Sequence, residues 1–587
     1  MPPALAGRSV QVVNDISPEE QLYLYERARR LKQTHRPETS VDDSPPLCEI
    51  KDADRTERIN EPDATVYLLF MEGSTRTKES FRNAAAYQGV KVNVFQAETS
   101  SFQKNETMCD TIKMLSVYSL KRTVFVIRSP LEGVCRWLET ALPRHAMRYG
   151  VPRPSFLNAG DGKFTHPLAE YADIFSILEL CKWRRDSIHL ALVGDLFHGR
   201  TAHSKVDGLR IFKDVHVDLI APDEFAYPVE YVNRMIEYGF EVRKYESVES
   251  YLASNASGGK IAKLWYFCRP QISKLGDLAE AHLEELWTSV SFKASWYNVL
   301  PEGTKFLQTL PRDKVRPQVP VSFDTLPLNA WDSVSRNSYY LNIVLLGALH
   351  GAIGAGLPEV TEKPEDDEDE ELEAYFPLEP QTVYAKLPDF IENVELSGRP
   401  TERRPARANS GGSTVPLRNG LVIDHIGLGL DPSEVWKRLR AVRAMNGWSR
   451  FLGSEGIYCS SAKKSGKFKG IMHFPDMDFA AISAMQLKIL ASIAPECTVN
   501  AIASSSVVRK LRLHMPERIR NLPNTMCKNE LCVSHPNNKQ RDVVPSFERV
   551  KFYETSALPA ADSNQEFLFV CKYCRWPHQF KDIWKEY

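Results

Sequence analysis

From Thr65 to about Gly356 the chain alternates short β-branched or aromatic runs with longer stretches of helical periodicity. Few architectures satisfy that alternation besides α/β layers around a mostly parallel sheet. TVYLLF, VKVNVF and TVFVIR read as the first strands, and IHLALVGD, HVDLIAP, FEVRKYES and KLWYFC as a second set that begins after the helix-like stretch following His166. Two sets of strands predict two α/β domains, over residues 1–172 and 173–325. The run from Ser335 through NSYYLNIVLLGALHGAIG has helical length and a broad apolar face, and predicts a packed helix within 326–356 that returns to the first domain.

The composition then changes. Residues 365 to 371, EDDEDEE, form an unbroken acidic block that repels itself into a solvated linker, and SGRPTERRPARANSGGST is flexible by composition. Together they predict a linker over 357–415. Beyond it, GLVIDHI, GIYCSS, KGIMHF and TVNAIAS are strand-like, while SEVWKRLRAVRAM and AAISAMQLKILASIA are helical. That mixture predicts a small α+β domain over 416–520, followed by a tail domain over 521–587.

With a formal net charge of -1, the chain has no overall pull toward nucleic acid or an anionic membrane, so any anion site depends on local placement of Lys and Arg. No apolar run reaches the roughly 20 residues that span a bilayer. MPPALAGRSVQVVNDIS lacks the continuous apolar core of a secretory signal, and the expected compartment is the cytoplasm. Seven of the eleven cysteines are scattered inside periodic segments, as buried thiols in a reducing compartment are. The other four form two short pairs, Cys527 with Cys532 and Cys571 with Cys574. Each pair can supply half of a tetrahedral thiolate site, so the pattern points to structural zinc, with two disulfides as the alternative. The segment lacks the interleaved aromatics and basic stripe of a nucleic-acid-binding zinc ribbon.

TVYLLF runs into Met71-Glu72-Gly73-Ser74-Thr75-Arg76-Thr77-Lys78 and then into ESFRNAAAYQG, which places a Ser/Thr/Arg cluster at a helix N-terminus. Free backbone N–H groups, the helix dipole, hydroxyls and a guanidinium converge there as they would on a phosphate. An ordinary Ser/Thr N-cap is the plainer reading.

Gly73-Ser74-Thr75-Arg76-Thr77 resembles the Ser-Thr-Arg-Thr carbamoyl-phosphate motif of the transcarbamoylases, and the likeness continues in order through the next 240 residues. The resemblance implies that Ser74, Thr75, Arg76 and Thr77 bind carbamoyl phosphate. Ser101 and Lys104 would lie on a mobile loop reaching a neighbouring subunit, with Asn105 in place of the usual Gly. Arg128 would contact both the carbamoyl and the phosphate groups. In NAGDGKFTHPLAEYADIF, His166 matches the histidine that polarises the carbamoyl oxygen. Its place before Pro167 at a helix start suits a neutral, donating imidazole. Ala169 stands where the family carries a glutamine, and losing that contact costs about 1 to 3 kcal/mol.

Arg200, in GDLFHGRTAHS, resembles the arginine that takes one carboxylate of aspartate, and Arg269 and Gln271, in YFCRPQISK, the Arg-x-Gln pair that holds the second. Bidentate guanidinium–carboxylate geometry suits a dicarboxylic amino acid. The Ser-Met-Gly and His-Cys-Leu-Pro sequences of ornithine carbamoyltransferases are absent; Leu310 and Pro311 match the carbonyl-supplying pair after Gln308, and Asn342 stands where many relatives carry an arginine. The implied family is aspartate carbamoyltransferase: two parallel-sheet α/β domains, a carbamoyl transfer from carbamoyl phosphate to L-aspartate, and no cofactor in the chemistry. A homo-oligomer, either a trimer or a dimer of trimers, would complete the sites.

From about Leu417 to Trp584 the chain resembles the regulatory chain of the same enzyme in bacteria. RNGLVIDHIG, SIAPECTVNAI and VVRKLRLHMPERIRN carry the likeness. It implies a ferredoxin-like α+β domain in which Asp424, His425 and Lys510 contact a nucleotide effector, with Met472 or a neighbour where relatives carry a second effector lysine. It also implies a small β domain with one structural zinc ion per chain on Cys527, Cys532, Cys571 and Cys574. The competing expectation, favoured by Asn105, Ala169 and Asn342, is a catalytically impaired scaffold that binds nucleotide or partner enzymes.

Overall fold

The computed structural model describes residues 5–35, 44–50, 58–61, 63–96, 106–255, 258, 261–271, 282–308, 312–354, 388–396, 418–459, 467–522, 524–540, 543–551 and 567–585. Ser101, Lys104, Asn105, Leu310, Pro311 and most of the predicted linker lie outside them. Two compact units result, one built on Met1–Val360 and joined by Asn529–Val543, the other on Thr361–Lys528 with Val544–Tyr553 and Asn564–Tyr587.

The first unit holds two parallel sheets. β1 (Thr65–Phe70), β2 (Lys91–Gln96), β3 (Thr123–Ser129) and β4 (Ser155–Asp161) lie in the order β2-β1-β3-β4. β1 and β3 are buried along almost their whole length, as strands covered on both faces must be. The outer edge of β4 is covered by the N-terminal segment, where Val10 N–H donates to Phe156 O at 2.7 Å. The second sheet is β5 (Ser187–Gly194), β6 (Asp214–Ile220), β7 (Glu241–Tyr245), β8 (Leu264–Cys268) and β9 (Lys305–Gln308), in the order β7-β6-β5-β8-β9. Its edge strand β7, EVRKY, is polar and partly exposed, which discourages further strand pairing.

Five helices matter for the site: α1 (Pro18–His35), α2 (Thr75–Gln88), α3 (Pro167–Leu180), α4 (Arg200–Gly208) and α5 (Trp331–His350). α2 stops at Gly89, whose φ of 65° admits the left-handed turn that closes a helix. α3 starts where Pro167, with no N–H to leave unpaired, follows the capping His166. α5 is the closing helix read from the sequence, and it packs against α1, α2 and α3. Within the same unit, Asn529–Val543 is held by Glu132, whose N–H donates to Leu531 O at 2.8 Å and whose carboxylate accepts from Asn529 Nδ2 at 2.7 Å.

The second unit contains a six-stranded antiparallel sheet. It is built from β10 (Ile391–Asn393), β11 (Gly420–Ile426), β12 (Ser454–Cys459), β13 (Phe468–Pro475), β14 (Thr498–Ala503) and β15 (Ser506–Leu513), in the order β10-β15-β14-β11-β13-β12. α6 (Pro432–Met445) and α7 (Ala484–Ile493) pack on it. β10 arises inside the stretch read as linker; three residues are too few for a periodic signal, and pairing with β15 makes the strand. β16 (Arg518–Arg520), β17 (Ser546–Lys551), β18 (Phe567–Cys571) and β19 (Pro577–His578) form a separate antiparallel sheet in sequence order. Among the described residues no helix is long and apolar enough to cross a membrane.

Candidate functional site

Parallel α/β sheets gather chemistry beyond the carboxyl ends of their strands, where helix N-termini point at the same space. Ser74 is the N-cap of α2, with Thr75, Arg76 and Thr77 in its first turn. The Ser74 side chain makes no capping hydrogen bond, so the ordinary N-cap reading is not met and the first-turn N–H groups keep their capacity for an anion. Arg128, one residue before the end of β3, is in register with Phe70 of β1, and its carbonyl accepts from Met71 N–H at 2.9 Å. That bond fixes the β1–α2 turn beside Arg128.

One residue the sequence reading passed over joins this cluster. Glu72 Oε2 accepts from Arg200 Nη2 at 3.2 Å and lies 3.4 Å from Arg128 Nε. Arg200, the first residue of α4, also donates from Nη1 to Gly162 O at 3.2 Å. A Cβ on Gly160, whose φ is 106°, would come within 3.1 Å of the Arg200 guanidinium carbon, so the absence of a side chain there admits the arginine. Arg128 is held at about 10, below the usual guanidinium range, first by burial and then by Arg200, against the opposing pull of Glu72. Arg76 is likewise lowered, chiefly by burial. A half-buried group of cations with one counter-charge is built to receive anions.

His166 is buried, and burial first, then Arg128, Arg200, Arg76 and Lys205, hold its imidazole well below the usual histidine range. Its Nδ1 accepts from Ala169 N–H at 3.3 Å. The ring is therefore neutral with its proton on Nε2, a donor. Ala169, lacking the family glutamine's amide, contributes here through its backbone. Asn342, where many relatives carry an arginine, donates from Nδ2 to Ser80 Oγ at 2.8 Å and ties α5 to α2.

Beyond β8, Arg269 is exposed and sits within electrostatic reach of Arg76 and Asp313. Gln271 is fixed twice, its N–H donating to Asp195 Oδ2 at 2.9 Å and its Nε2 to His198 O at 2.8 Å. Asp195 also takes His198 N–H at 2.9 Å, and so shapes the loop before Arg200. Neither Glu72 nor Asp195 carries a periodic signal. Their only sequence trace is a carboxylate inside each of two basic, glycine-containing turns.

In the second unit Asp424 and His425 lie where β11 departs from regular pairing with β13, and His425 takes a φ of 67°. The bulge turns the His425 side chain out of the ladder's alternation, while Asp424 keeps its pairing with Thr498 of β14. Lys469, which lies on β13 within the basic stretch KKSGKFKG, reaches Asp424 at 2.8 Å. Burial lowers the His425 imidazole; Asp424 opposes this, while Lys469, Lys510 and Arg512 add to it. Lys469, Lys510 and Arg512 gather around Asp424 and the His425 ring, with Arg512 also paired to Glu392 at 3.1 Å, and form a second anion-receptive group.

The side chains of Cys527, Cys532, Cys571 and Cys574 are buried, and their Sγ atoms all lie within 4.8 Å of one another. Thiolates around a tetrahedral zinc ion at about 2.3 Å stand about 3.8 Å apart. Cys527 and Cys574 are 3.6 Å apart, close to that spacing and far from the roughly 2.05 Å of a disulfide. The quartet fits a four-thiolate metal site. His578 Nε2, absent from the sequence reading, lies 3.4 Å from Cys527 Sγ and accepts from Lys528 N–H at 3.1 Å.

Two family profiles match the chain: the aspartate/ornithine carbamoyltransferase carbamoyl-phosphate-binding domain over residues 8–179, and the allosteric domain of the aspartate carbamoyltransferase regulatory chain over residues 414–514. Protein PyrBI of Thermotoga maritima is 39% identical over 581 residues, covering 98% of each chain. Protein PyrBI of Treponema denticola is 39% identical over 582 residues, covering 99% of this chain and 98% of that relative. Among solved structures, an aspartate transcarbamoylase from Trypanosoma cruzi in complex with N-(phosphonacetyl)-L-aspartic acid is similar at TM-score 0.48 and 24% identity, covering 59% of this chain and 98% of its own.

Proposed function

This chain belongs to the family of the PyrBI proteins, with a transcarbamoylase catalytic part and a regulatory part in one polypeptide, and on that premise we propose that it transfers the carbamoyl group of carbamoyl phosphate to L-aspartate. The products are N-carbamoyl-L-aspartate and phosphate. The observation that carries the reading is the convergence of Arg128, Arg200 and His166 with Arg76, in the first turn of α2, whose N-cap side chain makes no hydrogen bond to that turn.

In this scheme the uncharged α-amino group of aspartate attacks the carbonyl carbon. Thr77, Arg128 and the His166 Nε2–H donate to the oxygen as it gains charge. Arg76, Lys104 and the N–H groups after Ser74 and Thr75 stabilise the departing phosphate, which takes the proton released by the amine. Arg200, Arg269 and Gln271 hold the aspartate carboxylates, and Leu310 and Pro311 take the role of the family's carbonyl-supplying pair. Neither a covalent intermediate nor a catalytic metal is required. Positioning of two bound anions supplies much of the acceleration.

Ser101 and Lys104 serve a neighbouring subunit, and the enzyme works as a homo-oligomer in the cytoplasm. Met114, Tyr118, Leu120, Met147 and Tyr149 are exposed large apolar side chains of the first unit, and a second copy would cover them. Asp424, His425, Lys469 and Lys510 receive a nucleotide effector, and the four cysteines hold one structural zinc ion. The test is turnover by the purified full chain with L-aspartate or L-ornithine as acceptor. Product with aspartate alone is expected, whereas a folded protein inactive with both acceptors would favour the scaffold reading that Ala169 suggests.

A further inference from the structure

α4 carries two groups that have no part in the reaction scheme, and both grip the segment that bears His166. Ser204 Oγ accepts from His166 N–H at 3.1 Å and pairs with Thr165 Oγ1 at 3.0 Å. Lys205 is fully buried; its Nζ donates to Glu170 Oε2 at 2.5 Å and to Asp173 Oδ2 at 2.8 Å, both on α3. The same ammonium stands 4.1 Å from the centroid of the Tyr266 ring on β8.

These contacts link two ends of the candidate site. Arg200 opens α4 and Lys205 lies on its next turn, while Glu170 and Asp173 lie on the helix that His166 caps. A Cβ on Gly208 would fall 2.1 Å from Glu170 Oε1, so the end of α4 is shaped to admit that carboxylate. Buried charge clusters contribute little net stability, because desolvation offsets most of the attraction, and apolar residues of similar volume do as well. What a cluster of fixed geometry does supply is register between the elements it joins. Ile174, Phe175, Ile177 and Leu178 of α3 are buried and apolar, and the bonds made by its buried Tyr171, to Val13 O at 2.9 Å, and Ser176, from Asn337 Nδ2 at 2.9 Å, lead to elements other than α4.

We propose that Lys205, anchored by Glu170 and Asp173, is a positioning residue that sets the Arg200 guanidinium relative to the His166 imidazole, so that the two substrates meet in reacting geometry. This rests on the carbamoyl-transfer reading above. It makes a distinction that a purely structural role does not: a ligand held at one end of the site is indifferent to the link, and a ligand spanning both ends is not.

The test compares wild type with Lys205→Met/Glu170→Gln, which removes one charge of each sign. Titration calorimetry on the full chain would use inorganic phosphate as the one-ended probe and N-(phosphonacetyl)-L-aspartate as the spanning probe. Displacement by about an ångström costs on the order of a hundredfold, and that loss is expected in affinity for the spanning probe and in kcat. Phosphate affinity should stay within about twofold, as for an uncoupled site. Should the double variant fail to fold, Asp173→Asn, which keeps an acceptor for Lys205, is expected to show the same split at smaller size. Equal losses for both probes, or none for the spanning probe, would overturn the inference. A wild-type chain that binds phosphate but not the spanning probe would instead overturn the carbamoyl-transfer reading itself.

Discussion

Glu72 Oε2 accepts a hydrogen bond from Arg200 Nη2 at 3.2 Å, joining the end of β1 to the start of α4. The same oxygen faces Arg128, so one carboxylate orients two guanidinium groups assigned to different substrates. Glu72→Gln keeps the shape and removes the charge. A charge-assisted bond contributes about 1.5–3 kcal/mol when buried, and less where a third of the side chain is exposed, as here. The expected effect is a roughly tenfold rise in KM for aspartate, measured by steady-state kinetics. An unchanged KM would remove Glu72 from the site.

The depressed His166 pKa has a sign that experiment can read. A histidine whose folded pKa lies below its unfolded value binds fewer protons when folded, so its stabilising contribution is present above about pH 6.5 and is lost as pH falls below it. Within the native protein the ring stays neutral through that range. Nitrogen-15 NMR of the histidine rings should therefore show His166 as the Nε2–H tautomer from about pH 8 to pH 6, with no imidazolium signal. An imidazolium at pH 6 would contradict the assigned donor.

The cysteine quartet makes a stoichiometric claim. Metal analysis of the purified chain is expected to return one zinc ion per chain, and Cys571→Ala to lose it together with thermal stability of the tail sheet. Thiol titration of the denatured, unreduced protein distinguishes the two sequence readings. All four thiols react if the site holds metal, and none of the four if they form disulfides.

The effector group is tested by binding. Lys469 neutralises Asp424, and Lys510 and Arg512 add positive charge beside His425. Removing one cation from a triphosphate site costs roughly tenfold in affinity, by the strength of a charge-assisted contact. Lys510→Met and Lys469→Met should each lower nucleotide affinity by that factor in a fluorescence titration. Full affinity in both variants would place the effector elsewhere.

What was legible in the sequence had a local signature. Strands buried on both faces left apolar runs such as TVYLLF and IHLALVGD, the closing helix left a long apolar stretch, and the thiols of the metal centre came as close pairs. Ser74 to Thr77, Arg128, His166, Arg200 and Gln271 were found through a resemblance, and the structure gathers them at the carboxyl ends of β1, β3, β4, β5 and β8. Residues that act by long-range contact left no such trace. Glu72 reaches Arg200 across 128 positions and Lys205 reaches Glu170 across 35. β10 was invisible because three residues carry no period, and the strand exists only through its long-range pairing with Leu511 to Leu513 of β15.

The most direct test of the account follows labelled carbamoyl phosphate into product with the full chain and with Arg269→Ala. Wild type is expected to form N-carbamoyl-L-aspartate with L-aspartate as acceptor. Arg269→Ala, which removes a guanidinium assigned to one aspartate carboxylate, should lose about a hundredfold or more in kcat/KM for aspartate. A wild-type chain that assembles, holds its metal and forms no carbamoyl aspartate, or an Arg269→Ala variant as fast as wild type, would contradict the account.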